Sequence, residues 1–401
     1  MFYTLVKLAK EEGVSVYLVG GPVRDALLES PVLDLDFSVV GDGAALGKRL
    51  AQETGGEATA HPQFGTATVI TQGRRIDLVT ARRERYPQPG QLPHVTPGTI
   101  EDDLRRRDFT INAMALPIWP EGGRILDPMD GLVDLESGTV RVLHCRSFVD
   151  DPTRMFRAVR YEQRFGFRID DETLALMATS VSSSRMDYVS GDRWLHELDR
   201  ILGEAEPGRV LLRASELGLL SGLHPSLAND AGIRAMLKCG EDPRDSDEWM
   251  AALFSPLTTV EGWSVMQRLR LSGHRAAVAR DTIGVRENEN LIRESAGRPS
   301  DLYQILKPFA PQAVAAMAKL TGDPLVRRAL LRYLNELRHV QSGLTGDDLL
   351  EMGAAQGPLV GEILTHLRDA RLDGTVSNNG EERVLARDLL ARRQEGAAKQ
   401  E

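Results

Sequence analysis

A change of hydrophobic period near residue 147 is the strongest constraint on how this 401-residue chain folds. Before it, the runs VSVYLVG, DLDFSVV, TATVIT and RRIDLVTA are rich in Val, Ile and Thr and are bounded by Gly, Pro or Asp, as strands are. After it, TRMFRAVRYEQRF, RWLHELDRIL, GRVLLRASELGLL and PLVRRALLRYLNELRHV repeat apolar residues at helical spacing, and nothing further reads as a strand. An α/β head followed by a long all-helical body is the expected architecture. Pro22 opens a helical stretch, PVRDALLE, where its missing N–H does no harm. QSGLTGD, residues 341–347, reads as a linker before a terminal helical pair, and 395–401 as a frayed end.

Composition removes several classes. No apolar run approaches ~18 residues, so no membrane span is expected. The N-terminus reads as an amphipathic helix (Phe2, Leu5, Val6, Ala9) without the apolar core of a signal peptide. Two cysteines, Cys145 and Cys239, cannot make a disulfide framework or a Cys-rich zinc site, which points to a reducing cytoplasm. A net charge of −9 argues against nucleic-acid binding by bulk charge and leaves room for a local basic patch. Of the 49 basic residues only seven are lysine. Arginine is the better fork for phosphates and base edges, although GC-rich codon usage produces the same bias.

The densest chemistry lies in YLVGGPVRDALLESPVLDLDF, residues 17–37. A strand running into Gly20-Gly21 and then a helix leaves free backbone N–H groups facing one spot, an anion site. Arg24, one turn in, adds a charged fork. Asp34 and Asp36 are i and i+2 of an apolar strand and therefore share a face. Two such carboxylates repel unless a cation lies between them, and magnesium takes oxygen ligands while keeping positions for water and phosphates. Asp77, in a later strand, is placed to face the same site. Each element also has an ordinary reading: a glycine turn that binds nothing, a solvated acidic edge, a strand-edge aspartate.

The order of these stretches resembles the class II tRNA nucleotidyltransferases, the CCA-adding family of the polymerase-β superfamily, whose head the bacterial poly(A) polymerases share. The resemblance runs through VGGPVRD…DLDF, FGTATV (64–69), IDLVTARRERY (76–86), IEDDLRRRDFTINAMAL (100–116), LDPMDGLVDL (126–135) and DDPTRMFRAVRYEQRFGF (150–167). A weaker likeness, residues 357–374, matches the family's tail. The resemblance implies an α+β protein: a polymerase-β-like head, with a mixed sheet and helices, over 1–145. An all-helical neck (146–205), body (206–340) and tRNA-binding tail (341–401) follow. It implies a Mg2+ site at Asp34 and Asp36, with Gly20, Gly21 and Arg24 at the triphosphate. It also implies that Arg107 contacts the nucleotide, with Asp108 and Asn112 on the sugar side, and that Arg157 and Arg160 border the pocket.

Two later stretches carry weight on physical grounds. Arg105, Arg106 and Arg107 in a row suggest an electropositive wall against a triphosphate or an RNA end. In DDPTRMFRAVRY, Asp151 and Arg154 are three apart, neighbours on one helix face. A carboxylate only accepts and a guanidinium only donates. That pair matches a base edge offering an exocyclic amine beside a ring nitrogen, as cytosine and adenine do. Uracil and guanine put a carbonyl where the amine should be. An i, i+3 surface ion pair is the plain alternative. The resemblance implies the base-reading role, with Asp150 where the family usually has Glu. SGDRWLHELDRIL places Arg193 and Glu197 as supports for that helix.

No HExxH, no His-Asp doublet after residue 170 and no Gly-x-Ser-x-Gly is present, so neither a phosphohydrolase domain nor covalent catalysis is expected. The expected activity is template-independent addition of C and/or A to the 3′ end of tRNA from CTP and ATP. The Pro- and Gly-rich stretch LVTARRERYPQPGQLPHVTPGTIEDD resembles the loop that accompanies the switch from C to A, which argues against CC-only addition. Full CCA addition and A-only addition stay open, and a poly(A) polymerase, for which a basic C-terminal extension is expected, comes next. A small-molecule nucleotidyltransferase and a non-catalytic RNA-binding protein are the other readings. Oligomeric state is not legible.

Overall fold

The computed structural model describes residues 1–398 apart from 33, 62–64, 121 and 241–244. Phe64 of the FGTATV stretch and the end of the tail expected to fray lie outside the described residues. The chain forms two compact units, Met1–Ala228 and Asn229–Glu401.

The first unit is built on a six-stranded mixed sheet. Its strands are β1 (Ser15–Val19), β2 (Leu35–Val40), β3 (Glu57–His61), β4 (Thr66–Thr71), β5 (Arg74–Thr80) and β8 (Ala115–Trp119), in spatial order β3-β4-β5-β2-β1-β8. β2 and β5 are parallel, and every other neighbouring pair is antiparallel. The four strand-like runs of the sequence are β1, β2, β4 and β5. Strand alternation then separates two faces. Val16, Leu18, Phe37, Val39, Ala67, Val69, Ile76 and Leu78 are all buried. They pack beneath α1 (Phe2–Glu12) and α3 (Gly43–Thr54), whose Leu5, Leu8, Leu46 and Leu50 fill the core. Asp36, Thr68 and Asp77 alternate onto the opposite face, with Asp36 level with Asp77 and Asp77 level with Thr68.

On that face, α4 (Ile100–Arg105) buries Ile100 and Leu104 against Val19 and Ala115, so the strand ends and the arginine run behind α4 come together. β6 (Arg82–Arg85) and β7 (His94–Pro97) form a hairpin of their own. α2 (Gly21–Leu27) joins β1 to β2, and the connection from β8 to the helices passes through α5 (Gly131–Glu136) and α6 (Ser147–Asp150), then α7 (Arg154–Phe165), α8 (Asp171–Ser182) and α9 (Gly191–Leu202). Contrary to the expectation from periodicity, a strand does occur after residue 147: Arg168–Ile169 pairs in parallel with Thr139–Val140. Two residues are too few for alternation to show.

The second unit is helical among its described residues. One core gathers Ile292, Leu302, Leu306, Val314, Val326 and Leu330. A separate one gathers Leu349, Ile363, Leu367, Ala386 and Leu390 from the last three helices, Gly346–Glu351, Pro358–Leu372 and Asn379–Ala398. No helix among the described residues is long and apolar enough to cross a membrane.

Candidate active site

β1 ends in Gly20, whose φ of +73° and ψ of −129° suit only glycine. A Cβ at Gly20 would overlap Arg107 Nη1, so the guanidinium of Arg107 lies directly against this turn. Gly21 opens α2. Arg24 departs from expectation. It is 4% exposed and turned inward, donating to Asp25 Oδ1 (2.7 and 2.8 Å) and Asn112 Oδ1 (2.6 Å). Its guanidinium also lies 4.7 Å from the Phe165 ring centre and 5.2 Å from that of Tyr161. It braces α2 against α7 and is not among the residues lining the cleft described below.

The acidic cluster forms across β2 and β5. Asp36 and Asp77 are level on the parallel ladder, and Asp34 lies exposed in the bend just before β2, not within the strand. Thr68 donates to Asp77 Oδ1, and Arg75 pairs with Oδ2 at 3.1 Å. Burial, with the Asp77 and Asp34 carboxylates, pushes the Asp36 carboxyl above its ordinary value, against the pull of Arg107. A carboxylate in that position gains from a nearby cation. Among the described residues, no group of three or more acids, histidines or cysteines is gathered tightly enough to hold a metal alone. Asp34 and Asp36 are the residues that would hold a divalent ion beside that raised carboxyl, with substrate phosphates and waters completing a magnesium shell.

Arg107 separates this cluster from a cleft of about 550 Å3. On one wall, Arg82, Glu84 and Tyr86 share a face of the β6 segment by period 2. The buried Glu84 carboxylate accepts from Arg82 (3.0 Å), Arg106 (3.1 Å) and the Tyr86 hydroxyl (2.9 Å). Burial pushes that hydroxyl well above the usual phenol range, which keeps it a donor. Asp103, 1% exposed, holds both Arg106 and Arg107. The arginine run is thus split: Arg105 is exposed, while Arg106 and Arg107 line the cleft with their charge partly neutralised.

The opposite wall comes from α6, α7 and α9. Asp108 Oδ2 accepts from Arg157 Nε (2.8 Å) and Nη2 (2.6 Å), and its Oδ1 accepts from Asn112 and the Phe109 amide. Burial raises the Asp108 carboxyl, but the Arg157 charge and these hydrogen bonds outweigh it and hold the carboxyl below its ordinary value. Asn112 is buried between Asp108 and Arg24 and does not line the cleft. Arg160 does not border it either: it is 5% exposed and paired with Glu197 and Glu204 behind the wall.

Asp151 and Arg154 both line the cleft, with a geometry the helical spacing did not foresee. Asp151 is not on α7. It ends α6 in extended conformation (φ −140°, ψ 95°), because the residue before Pro152 is driven out of the helical region. Its Oδ1 accepts from the Thr153 amide (3.0 Å), the Thr153 hydroxyl (2.6 Å) and Arg193 Nη2 (2.7 Å). Its Oδ2 receives no hydrogen bond from the described residues. Arg154, 6% exposed, donates to Ser147 Oγ and to the Arg106 carbonyl, both at 2.9 Å, two of its five N–H donors. Sequence reasoning missed Glu84, Tyr86, Thr68 and Asp103. The alternation in RRERY was the available signal for the first two.

Residues 16–141 match the family described as poly A polymerase head domain, and residues 166–230 the one described as probable RNA and SrmB-binding site of polymerase A. An A-adding tRNA nucleotidyltransferase of Halalkalibacterium halodurans is 30% identical over 404 residues, covering 97% of this chain and 92% of that protein. The chain belongs to the tRNA nucleotidyltransferase family. Family members of differing specificity stand at similar distance. A CC-adding enzyme of Deinococcus radiodurans is 36% identical, covering 93% of this chain and 89% of its own. An A-adding enzyme of Geobacter sulfurreducens is 36% identical over 96% of this chain, which spans only 46% of that relative. Two solved structures share the family fold. A Thermotoga maritima CCA-adding enzyme complexed with tRNA superposes with a TM-score of 0.75 (28% identity, 98% of this chain, 94% of the other). A CCA-adding enzyme with ATP superposes at 0.79 (28% identity, 100% and 95%).

Proposed function

We propose that this protein adds C and/or A residues to the 3′ end of tRNA without a template, from CTP and ATP, releasing pyrophosphate. The observation that carries this is the joint presence, along one cleft, of an acceptor with a free oxygen (Asp151) and a fixed donor (Arg154), with Arg107 linking them to the acidic cluster. The solved neighbours bound to ATP, to CTP and to tRNA support the same ligands.

In this reading Arg107, lying against the Gly20 turn, neutralises the triphosphate. Asp151 Oδ2 accepts from the exocyclic amine of cytosine or adenine, and Arg154 donates to the adjacent ring nitrogen. Arg157, held by Asp108, borders the base or sugar, while Arg24 and Arg160 brace the wall. Asp34 and Asp36 would hold Mg2+, which supplies activation of the RNA hydroxyl and stabilisation of the departing pyrophosphate. Asp77, its two oxygens engaged by Thr68 and Arg75, positions Asp36 electrostatically. The tail grips the tRNA by shape and backbone, and the enzyme works in the cytoplasm, where its two cysteines stay reduced.

The loop over 86–93, whose Leu92 and Pro93 line the cleft, favours CCA or A addition. The CC-adding relative at 36% identity keeps CC-only addition as the alternative. Three tRNAs decide: one lacking CCA, one lacking only the final A, and one complete. Each is incubated with ATP, CTP or both and read at single-nucleotide resolution. Extension of the second by A supports the reading. Extension of the first by two C and no further, with both nucleotides present, gives CC-only.

A further inference from the structure

We infer that the second unit carries an RNA subsite between its helices Thr259–Leu269 and Gly273–Glu287, taking one unpaired base of the tRNA stacked on Trp263, with the adjoining phosphates at Arg270 and Arg280. This rests on tRNA being the substrate. The three side chains line a depression of about 270 Å3 together with the apolar Met266, Leu271 and Ala276. None of the described residues lining it is acidic, although the whole chain carries a net charge of −9. Sites that enclose a whole drug-sized ligand run to roughly 300–1,000 Å3, so this one suits a single planar group.

Three separate features meet there. The helix Thr259–Leu269 buries Gly262, Val265 and Leu269 and turns Val260, Trp263 and Gln267 outward at i, i+3 and i+7. Val260 is 80% exposed and Trp263 57%, so the indole forgoes most of the burial its area could give. The same helix closes on Arg270 in the left-handed conformation (φ 53°, ψ 36°), its N–H returning to the Gln267 and Met266 carbonyls. Glycine is the ordinary residue at such an end, and backbone strain of this kind clusters at ligand sites. Arg280 is aimed from behind. Its Nε and Nη2 donate to Asp281 Oδ1 at 3.0 and 2.9 Å, and the buried Asp281 is itself fixed by the Ala310 amide on Oδ2 at 2.9 Å. The Arg280 side chain is 63% exposed and spends only two of its five N–H donors in this way. An indole beside guanidinium groups offers a base its π-face and offers phosphates charge-assisted hydrogen bonds. Bases inside a duplex are stacked on one another, so the occupant is a nucleotide from a tRNA loop and not from the acceptor helix.

The test uses the full-length protein with tRNA lacking only the final A, and with an acceptor-stem duplex of the same 3′ end that has no loop. Trp263→Ala should weaken tRNA binding roughly tenfold, the scale of one base stacked on an aromatic ring, and Trp263→Phe, which keeps a ring, should weaken it less. Binding of the duplex, KM for ATP and the ATP over GTP ratio should stay at their wild-type values. Arg280→Gln should lower the slope of log Kd against log salt by about one, as one lost phosphate contact does. Arg270→Gly should weaken tRNA binding while Tm holds or rises, because glycine is at ease at that φ. Unchanged tRNA binding in Trp263→Ala overturns the inference, as does an unchanged salt slope in Arg280→Gln. An equal loss on tRNA and duplex puts the contact on the acceptor helix and also overturns it. Self-association of the wild type that Trp263→Ala abolishes, with tRNA binding unmoved, makes this face an interface between copies and overturns it too. A lower Tm with unchanged tRNA binding in Arg270→Gly makes Arg270 a structural cap and overturns its phosphate role. A wild-type protein that neither binds nor extends tRNA overturns the proposed function and this subsite with it.

Discussion

Replacing Asp151 with asparagine should invert the enzyme's base preference, where alanine should only relax it. The reason is the crowding of donors on one oxygen. Oδ1 accepts from the Thr153 amide, the Thr153 hydroxyl and Arg193 at 2.6–3.0 Å. An asparagine NH2 in that position would face three donors, so its carbonyl must take the place of Oδ1. The NH2 is then forced to the Oδ2 position and points into the cleft. Cytosine and adenine meet a donor opposed to their own amine, which costs about 1–3 kcal/mol of unpaired polar group. Uracil and guanine gain a donor for their carbonyl, about 1 kcal/mol. The ratio of kcat/KM for CTP over UTP, or ATP over GTP, should shift by roughly 2–4 kcal/mol, about 30- to 1000-fold. The side chain of Asp151 is 20% exposed, so competition from water places the expectation near the lower end. Asp151→Ala removes the acceptor without adding a donor and should lose about tenfold. The assay is single-nucleotide extension of tRNA with each nucleotide in turn for wild type and both variants. Equal ratios in the two variants, or a change below threefold in the asparagine variant, would refute the reasoning.

Replacing Asp34 or Asp36 with alanine should abolish incorporation while ATP or CTP binding, measured by titration, largely survives; near-normal turnover in either contradicts the assignment of catalytic carboxylates. Deleting a few residues around Pro87–Gly90 should cripple AMP addition and spare any CTP incorporation, and equal loss of both removes the loop argument against CC-only addition. Asp108→Asn sets an NH2 against two donors in either orientation and leaves Arg157 without its counter-charge, costing about 3–5 kcal/mol and lowering Tm by about 6–20 °C. Because the folded Asp108 carboxyl is held below its unfolded value, its contribution is complete above about pH 4 and is lost as pH falls through the folded value. The Tm gap between wild type and variant should therefore be constant from pH 8 to pH 5 and narrow only in stronger acid. A gap that closes within that window contradicts it.

Local periodicity was legible in the chain alone. Alternation marked β1, β2, β4 and β5 and put Asp36 and Asp77 on strands whose carboxylates share a face, because side-chain direction in a strand depends only on the backbone. The change to helical spacing marked where the sheet gives way to helices. The off-helix position of Asp151 was also written there, in Pro152, and is a local steric effect. The partners of the charged residues were not legible. Arg24 bonds Asn112, 88 residues away, and Arg193 bonds Gly90, 103 residues away. The family resemblance placed Arg24, Arg107, Arg154, Arg157 and Arg160 all at the nucleotide. Packing sorted them, turning Arg24 and Arg160 inward and leaving Arg107, Arg154 and Arg157 on the cleft. Any arginine can pair with any carboxylate that comes within reach, so sequence specifies the supply of charges and only the folded chain decides which ones meet. Glu84 and Asp103, buried beneath three of the cleft arginines, set how much positive charge the site keeps, and only the tertiary structure brings them there.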